Sequence, residues 1–151
     1  MCVLFVGLAP AHAESAIGYV NGKKIKIEVV DVDGIEVEQR TARAFATMAA
    51  AAAEDGIELQ LTSGFRTNER QAELYDEYLH DSGVLAAKPG YSNHQSGRAL
   101  DINCWNWNCY LWLAAHAATY GFKRTVPSEP WHWEYSGPRA TAGAGRAARR
   151  R

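Results

Sequence analysis

Two short stretches hold the side chains best suited to chemistry in this chain: Tyr91-Ser92-Asn93-His94-Gln95-Ser96-Gly97-Arg98-Ala99-Leu100-Asp101 and Glu129-Pro130-Trp131-His132. His94, His132 and Asp101 supply two imidazoles and one carboxylate, enough to hold a zinc ion with one position open. A structural zinc site more often closes its fourth position, usually with cysteine sulfur, so this set has a catalytic character. Glu129 stands beside the last imidazole, where a general base for an attacking water is wanted. The donor types alone also suit iron(II).

The elements around these residues must bring them together. His94 and Asp101 are seven positions apart, which on a straight strand sets them on opposite faces. Gln95-Ser96-Gly97 can turn or bulge between them, and Gly97 accepts a backbone angle that other residues resist. His132 lies in Trp131-His132-Trp133-Glu134-Tyr135, whose alternation predicts a packed face of Trp131, Trp133 and Tyr135. His132 and Glu134 then point the other way, with His132 presented to a cleft on a rigid strand. Pro127 and Pro130 argue against a helix carrying Glu129 and His132, so the helical H-E-x-x-H arrangement is absent. A loop entering a strand would leave Glu129 one water molecule from the metal. His80 and His116, on predicted helices, are expected to be ordinary surface or core residues.

Ile17–Val20 and Ile25–Val32 flank Asn21-Gly22 and predict a β-hairpin, closed by a further turn at Asp33-Gly34. Glu38–Glu54 is predicted helical, with Ala42, Phe45, Ala46, Ala49 and Ala53 on one face. Ile57–Leu61 alternates as a strand and leads into Thr62-Ser63-Gly64-Phe65-Arg66. A helix capped by Thr67 or Asn68 should run to about Asp81, with Gln71, Leu74, Tyr75 and Tyr78 on related faces. Residues 84–93 read as a loop and Arg98–Ile102 as a strand. Tyr110–Tyr120 reads as a helix with Leu111, Leu113, Ala114 and Ala117 inward, and Phe122–Val126 and Trp131–Tyr135 as the last strands. The order predicts an α+β domain with helices packed on a central, mainly antiparallel sheet.

The length of 151 residues fits one domain, and the net charge of −1 argues against a nucleic-acid binder. The charge is uneven, because residues 139–151 hold five arginines and no acid while residues 1–138 carry a net of −6. The expected organisation is a leader at 1–13, a domain at 14–138 and a disordered Arg-rich tail at 139–151. Val3–Ala9 with Ala11-His12-Ala13 resembles a signal peptide whose basic start is missing, so a periplasmic or secreted protein is expected. No stretch is long and apolar enough to predict a transmembrane helix, and a monomer is expected. Cys104 and Cys109 either form a disulfide in an oxidising compartment or stay as two thiols near the core.

The motifs resemble those of the zinc D-alanyl-D-alanine carboxypeptidases of the vancomycin-resistance type, which share a fold with D-Ala-D-Ala dipeptidases and the hedgehog signalling domain. S-x-H-x-x-G-x-A-x-D is met by Ser92, His94, Gly97, Ala99 and Asp101, and E-x-W-H-W by Glu129, Trp131, His132 and Trp133. Ser63-Gly64-Phe65-Arg66-Thr67 followed by Gln71 meets a third pattern, so the resemblance runs from about Leu59 to Tyr135. It implies a hedgehog/D,D-peptidase-like fold and one Zn2+ held by His94, Asp101 and His132. It implies Glu129 as general base and acid, and Arg66 on the oxyanion or a substrate carboxylate. Gln71 and Ser92 would be further polar contacts to the substrate.

The implied activity is removal of the terminal D-Ala from peptidoglycan stem peptides. An L-alanyl-D-glutamate endopeptidase, an L,D-carboxypeptidase and a non-catalytic zinc-containing binding module are the alternatives. The Trp105-Asn106-Trp107-Asn108 insert departs from the family pattern; its indoles either line the cleft or cover the core, and the second is the expectation.

Overall fold

A computed structural model describes residues 12–80, 83–104 and 106–137. The expected leader, apart from its last two residues, the Arg-rich tail and Trp105 lie outside the described residues. Glu14–Val20 (β1) and Lys23–Val32 (β2) form the predicted hairpin around Asn21 and Gly22, both at positive φ. The turn at Asp33-Gly34 does not end the sheet. It leads into Ile35–Glu38 (β3), antiparallel to β2, a strand too short to show a clear alternation in the sequence.

Gln39–Glu54 (α1) begins where predicted, capped by the Glu38 carboxylate, which accepts from the Arg40 and Thr41 amides. Its buried residues are Thr41, Ala42, Ala44, Phe45, Met48 and Ala52; of the expected face Ala42 and Phe45 are buried and Ala49 partly so, whereas Ala46 and Ala53 face solvent. In so Ala-rich a segment the largest apolar side chains, Phe45 and Met48, set the inward face, and spacing alone adds two wrong alanines.

The second sheet has the order β4-β5-β7-β6 and is antiparallel throughout. Its strands are Gln60–Ser63 (β4), Ala99–Asn103 (β5), Phe122–Lys123 (β6) and His132–Tyr135 (β7). β4 starts three residues later than the alternation from Ile57 suggests, and β6 is far shorter than Phe122–Val126. The expected central sheet is thus two antiparallel sheets, joined where the Phe65 amide donates to the Glu36 carbonyl at 2.6 Å.

Asn68–Leu79 (α2) is capped by Thr67 and buries only Gln71. Trp107–His116 (α3) starts earlier than predicted and continues as a 3-10 turn at Ala117–Tyr120. Its inward residues are Cys109, Trp112, Leu113 and Ala117, while Leu111 and Ala114 point outward. α1 packs its Phe45 and Met48 into one core with Val37, Leu100, Ile102, Leu113, Phe122 and Trp133. The second sheet thereby turns its other face, bearing Asp101 and His132, away from the core. Among the described residues no helix is long and apolar enough to cross a membrane.

Candidate metal centre

Strand register does most of the assembly. On β5 Asp101 is paired with Ser63 of β4 on one side and with His132 of β7 on the other. A 3-10 turn, Asn93–Ser96, supplies His94, and Gly97 ends it at φ 75° before the chain enters β5. That left-handed residue is the turn that lets His94 and Asp101 reach one point. His94, Asp101 and His132 each place one ligand atom within 4.8 Å of the others, a set positioned for a metal ion.

The second nitrogen of each imidazole is occupied. His94 Nδ1 donates to the Gly64 carbonyl at 2.8 Å, which leaves Nε2 as the nitrogen facing the site, 3.4 Å from Asp101 Oδ1. His132 uses the opposite nitrogen: Nε2 donates to Glu134 at 3.0 Å, and Nδ1 lies 3.3 Å from Asp101 Oδ1. Such outer hydrogen bonds fix ring orientation and the ligating nitrogen. Two imidazole nitrogens and a carboxylate oxygen, each held from behind or by sheet register, fit a tetrahedral Zn2+ with its fourth position open.

The electrostatics match. Burial opposes charge on Asp101, but hydrogen bonds from His132 and His94 outweigh it and hold the carboxylate well below its usual range. Burial also opposes charge on His132, yet the hydrogen bonds to Asp101 and Glu134 push it up to about 9. Burial works against Glu134 in the same way, and His132, Thr125 and Asn93 overcome it, lowering its pKa.

Glu129 closes a turn in which the His132 amide donates to its carbonyl at 3.1 Å, and its Oε2 lies 3.7 Å from His132 Nδ1. Its side chain is 42% exposed, so water reaches it while it borders the metal centre. Arg66 follows β4, with its amide bonded to the His94 carbonyl at 3.2 Å. Its Nη1 donates to Gln71 Oε1 at 3.0 Å. Burial and Arg70 lower its pKa, while the charges of Asp101 and Glu129 act in the other direction. Gln71 is 1% exposed, and its amide nitrogen donates to the Ala87 carbonyl at 2.7 Å. Both ends of that carboxamide therefore engage the protein, one of them on the Arg66 guanidinium. Ser92 precedes the His94 turn, partly buried and without a capping hydrogen bond from its side chain.

Three residues of the site, Glu134, Asn93 and Thr125, stand outside the roles the sequence motifs assign. Alternation puts Glu134 on the His132 face, but only the structure pairs the two; a carboxylate two positions along the same strand is the signal. Asn93 and Thr125 both donate to Glu134, and nothing in their spacing announces it. Trp131 does not pack with Trp133 and Tyr135. It precedes β7 and is 47% exposed. Trp107 is likewise exposed, against the expectation that it covers the core. Cys104 and Cys109 are joined as a disulfide, which decides between the two states left open.

An antiparallel sheet carrying a histidine and an aspartate, with a second histidine on the turn that leads into it and an acid and an arginine beside them, defines a metallopeptidase-like site. The family profile for VanY, D-alanyl-D-alanine carboxypeptidase, matches residues 34–138, and the chain belongs to that family. A D-alanyl-D-alanine carboxypeptidase of Enterococcus faecalis is 33% identical over 116 residues, covering 58% of this chain and 43% of its own. The chain spans about half the length, or less, of the curated relatives it matches.

Among solved structures, a variant of the vancomycin-resistance D,D-pentapeptidase VanY in complex with Zn(II) aligns with a TM-score of 0.63 at 29% identity. It covers 74% of this chain and 79% of that one. VanYB in complex with D-Ala-D-Ala gives 0.63 at 28% identity over 81% and 84% of the two chains. The L,D-carboxypeptidase LdcB aligns with a TM-score of 0.60 at 28% identity, over 74% of this chain and 63% of its own. These relatives are consistent with the α+β fold and with zinc as the metal.

Proposed function

We propose that this protein is a zinc-dependent D,D-carboxypeptidase that removes the terminal D-Ala from peptidoglycan stem peptides. The observation that carries this reading is one cluster: three ligand atoms within 4.8 Å of one another, with Glu129 at their edge. His94 through Nε2, His132 through Nδ1 and Asp101 would hold the ion. Zn2+ when bound supplies a Lewis acid for the scissile carbonyl and lowers the pKa of water.

Glu129 takes a proton from the attacking water and returns it to the departing amine. Its 42% exposure admits water, and the Glu129–His132 turn fixes its reach. Arg66 presents a guanidinium, oriented by Gln71, to the developing oxyanion or to the substrate's terminal carboxylate. Ser92, at the entrance to the His94 turn, is assigned a polar contact to the peptide. Every group comes from one chain, and residues 14–138 of a monomer are the proposed catalytic unit. Its substrate lies outside the cytoplasmic membrane, so it acts in the periplasm or as a secreted protein.

LdcB supports a second substrate for the same machinery, the tetrapeptide of an L,D-carboxypeptidase. The test is mass spectrometry of defined tetra- and pentapeptide muropeptides incubated with zinc-loaded protein and with Glu129→Ala. Loss of one Ala from the pentapeptide by the wild type alone supports the D,D reading and the base together. Trimming of the tetrapeptide, or cleavage after L-Ala, keeps the machinery and changes the substrate. No cleavage by a protein shown to hold zinc would favour a binding module instead.

A further inference from the structure

A groove beside the metal centre has no part in the reaction above. It encloses about 310 Å³, and Asn103, Cys104, Trp107, Tyr110, Pro130 and Trp131 are among the residues that line it. Pro130 and Trp131 separate Glu129 from His132 in the chain, so groove and metal centre share a wall. Trp107 is 67% exposed and Trp131 47%. A patch of large rings turned to water marks a binding surface more often than a defect of packing.

Trp107 is also held in place. It stacks on Tyr110 with ring centroids 4.9 Å apart. The Tyr110 hydroxyl accepts from Arg124, whose guanidinium lies 5.5 Å over the same ring and also donates to the Pro127 carbonyl. The Cys104–Cys109 disulfide closes the loop that carries Trp107, and the Asn106 carboxamide caps α3 through the Cys109 amide at 3.0 Å. An indole fixed by a staple, a cap and a stacked tyrosine is a preorganised platform.

The chemistry of the lining selects the occupant. Among the described residues no charged side chain lines the groove. An acidic stem peptide gains little from such a surface. An N-acetylated hexose has a flat C–H face that stacks on an indole, and a polar rim for a carboxamide such as Asn103. The groove lies at the end of β5, walled by Pro130 and Trp131, which stand between Glu129 and His132 in the chain. Four extended residues of a stem reach about 13 Å, so the sugar at the far end of a stem bound at the metal centre has a neighbouring groove within reach.

We propose that this groove is a subsite for the N-acetylated sugar ring bearing the stem peptide, with Trp107 as its stacking platform and Trp131 as the shared wall. The assignment rests on the peptidoglycan reading above, and its test separates the two. Kinetics of zinc-loaded protein are measured on a disaccharide pentapeptide and on the same pentapeptide without sugar. Trp107→Ala should raise KM about tenfold on the sugar-bearing substrate, and leave kcat and the KM of the bare peptide unchanged. Trp107→Tyr should recover most of the loss. Equal losses on both substrates, or no loss on either, overturn the subsite while leaving the activity standing.

Binding is read separately by NMR, titrating the zinc-loaded protein with the peptide-free disaccharide. Movement of the indole N–H signal that Trp107→Ala removes supports the subsite, and its absence at millimolar sugar overturns it. If neither pentapeptide is cleaved, the functional reading falls and this titration still decides the groove.

Discussion

His132 Nε2 lies 3.0 Å from Glu134 Oε1, so a carboxylate two residues along β7 holds the ring whose Nδ1 faces Asp101. Glu134 is itself held by Asn93 and Thr125, from the His94 loop and the β6–β7 connection. The two ligand-bearing segments are therefore tied together behind the metal centre as well as through Asp101.

Glu134 should accordingly act on metal affinity more than on the chemical step. Glu134→Ala leaves the Nε2 hydrogen of His132 without an acceptor and is expected to weaken zinc binding about 10- to 100-fold. Glu134→Gln retains an acceptor without the charge and should lose less. Competition against a chromophoric chelator measures both. Unchanged affinity in the alanine variant would remove Glu134 from this role.

Gln71 is the corresponding support for Arg66. Its carboxamide accepts from the guanidinium and donates to Ala87, joining the site to the loop after α2. Gln71→Leu preserves bulk but leaves the Ala87 carbonyl and the guanidinium short of a partner. A cost of about 1–3 kcal/mol in stability is expected, from buried groups left unsatisfied. The kcat should also fall, with zinc content intact. Urea unfolding and metal analysis measure the first and last, and a variant with normal kcat would show that Arg66 orients itself.

How much of the molecule is legible in the sequence depends on whether a signal is local. The candidate ligands are legible because their spacing and residue types are confined to two short stretches, and Gly97 marks the turn between His94 and Asp101. The hairpin at Asn21-Gly22 and the caps of α1 and α2 are legible for the same reason. The hold on Glu134 is passed over because its partner Asn93 lies 41 positions away in the chain, and the exposure of Trp107 is misread because no local signal says whether an indole has a core to cover. The inward face of α1 is only partly recovered, with Ala42 and Phe45 right and Ala46 and Ala53 wrong, because alanines carry little information about which side of a helix has something to pack against.

Metal uptake should release a proton from His132. In the metal-free protein its imidazole is pushed up to about 9 by Asp101 and Glu134 against the effect of burial, so at neutral pH it is charged. Ligation needs the Nδ1 lone pair, and that proton must leave. Calorimetric titration with zinc in buffers of different ionisation enthalpy should show close to one proton released by His132 between pH 7 and about 8, and tighter apparent binding as pH rises. The metal-free fold has the opposite dependence. A pKa raised on folding contributes stability that is complete below the unfolded value of 6.5 and lost as pH rises through about 9. Thermal unfolding of the metal-free protein should therefore drop to lower temperature over that interval, and His132→Gln should abolish that component. A flat profile would show that His132 is neutral before zinc arrives.

Gly97→Ala tests the turn on which the metal centre depends. Gly97 has φ 75°, and an added Cβ would meet Glu38 Cβ at 2.6 Å. The left-handed backbone alone costs an L-residue about 1–2 kcal/mol. The contact adds to this, because Glu38 caps α1 through the Arg40 and Thr41 amides and cannot move without giving up that cap. Gly56 is a control with the same φ of 75° and nothing within 4 Å of the place an added Cβ would take. Gly56→Ala should show the backbone cost alone, while Gly97→Ala should lose at least about 1 kcal/mol more, the typical worth of an N-cap. Zinc affinity should fall only in Gly97→Ala, since only that turn sets His94 against Asp101. Chemical unfolding of both variants, each with a zinc titration, checks the pair. Equal stability losses and unchanged affinity would mean that the 3-10 turn and β5 adjust around the methyl group, and that His94 and Asp101 converge without help from a glycine.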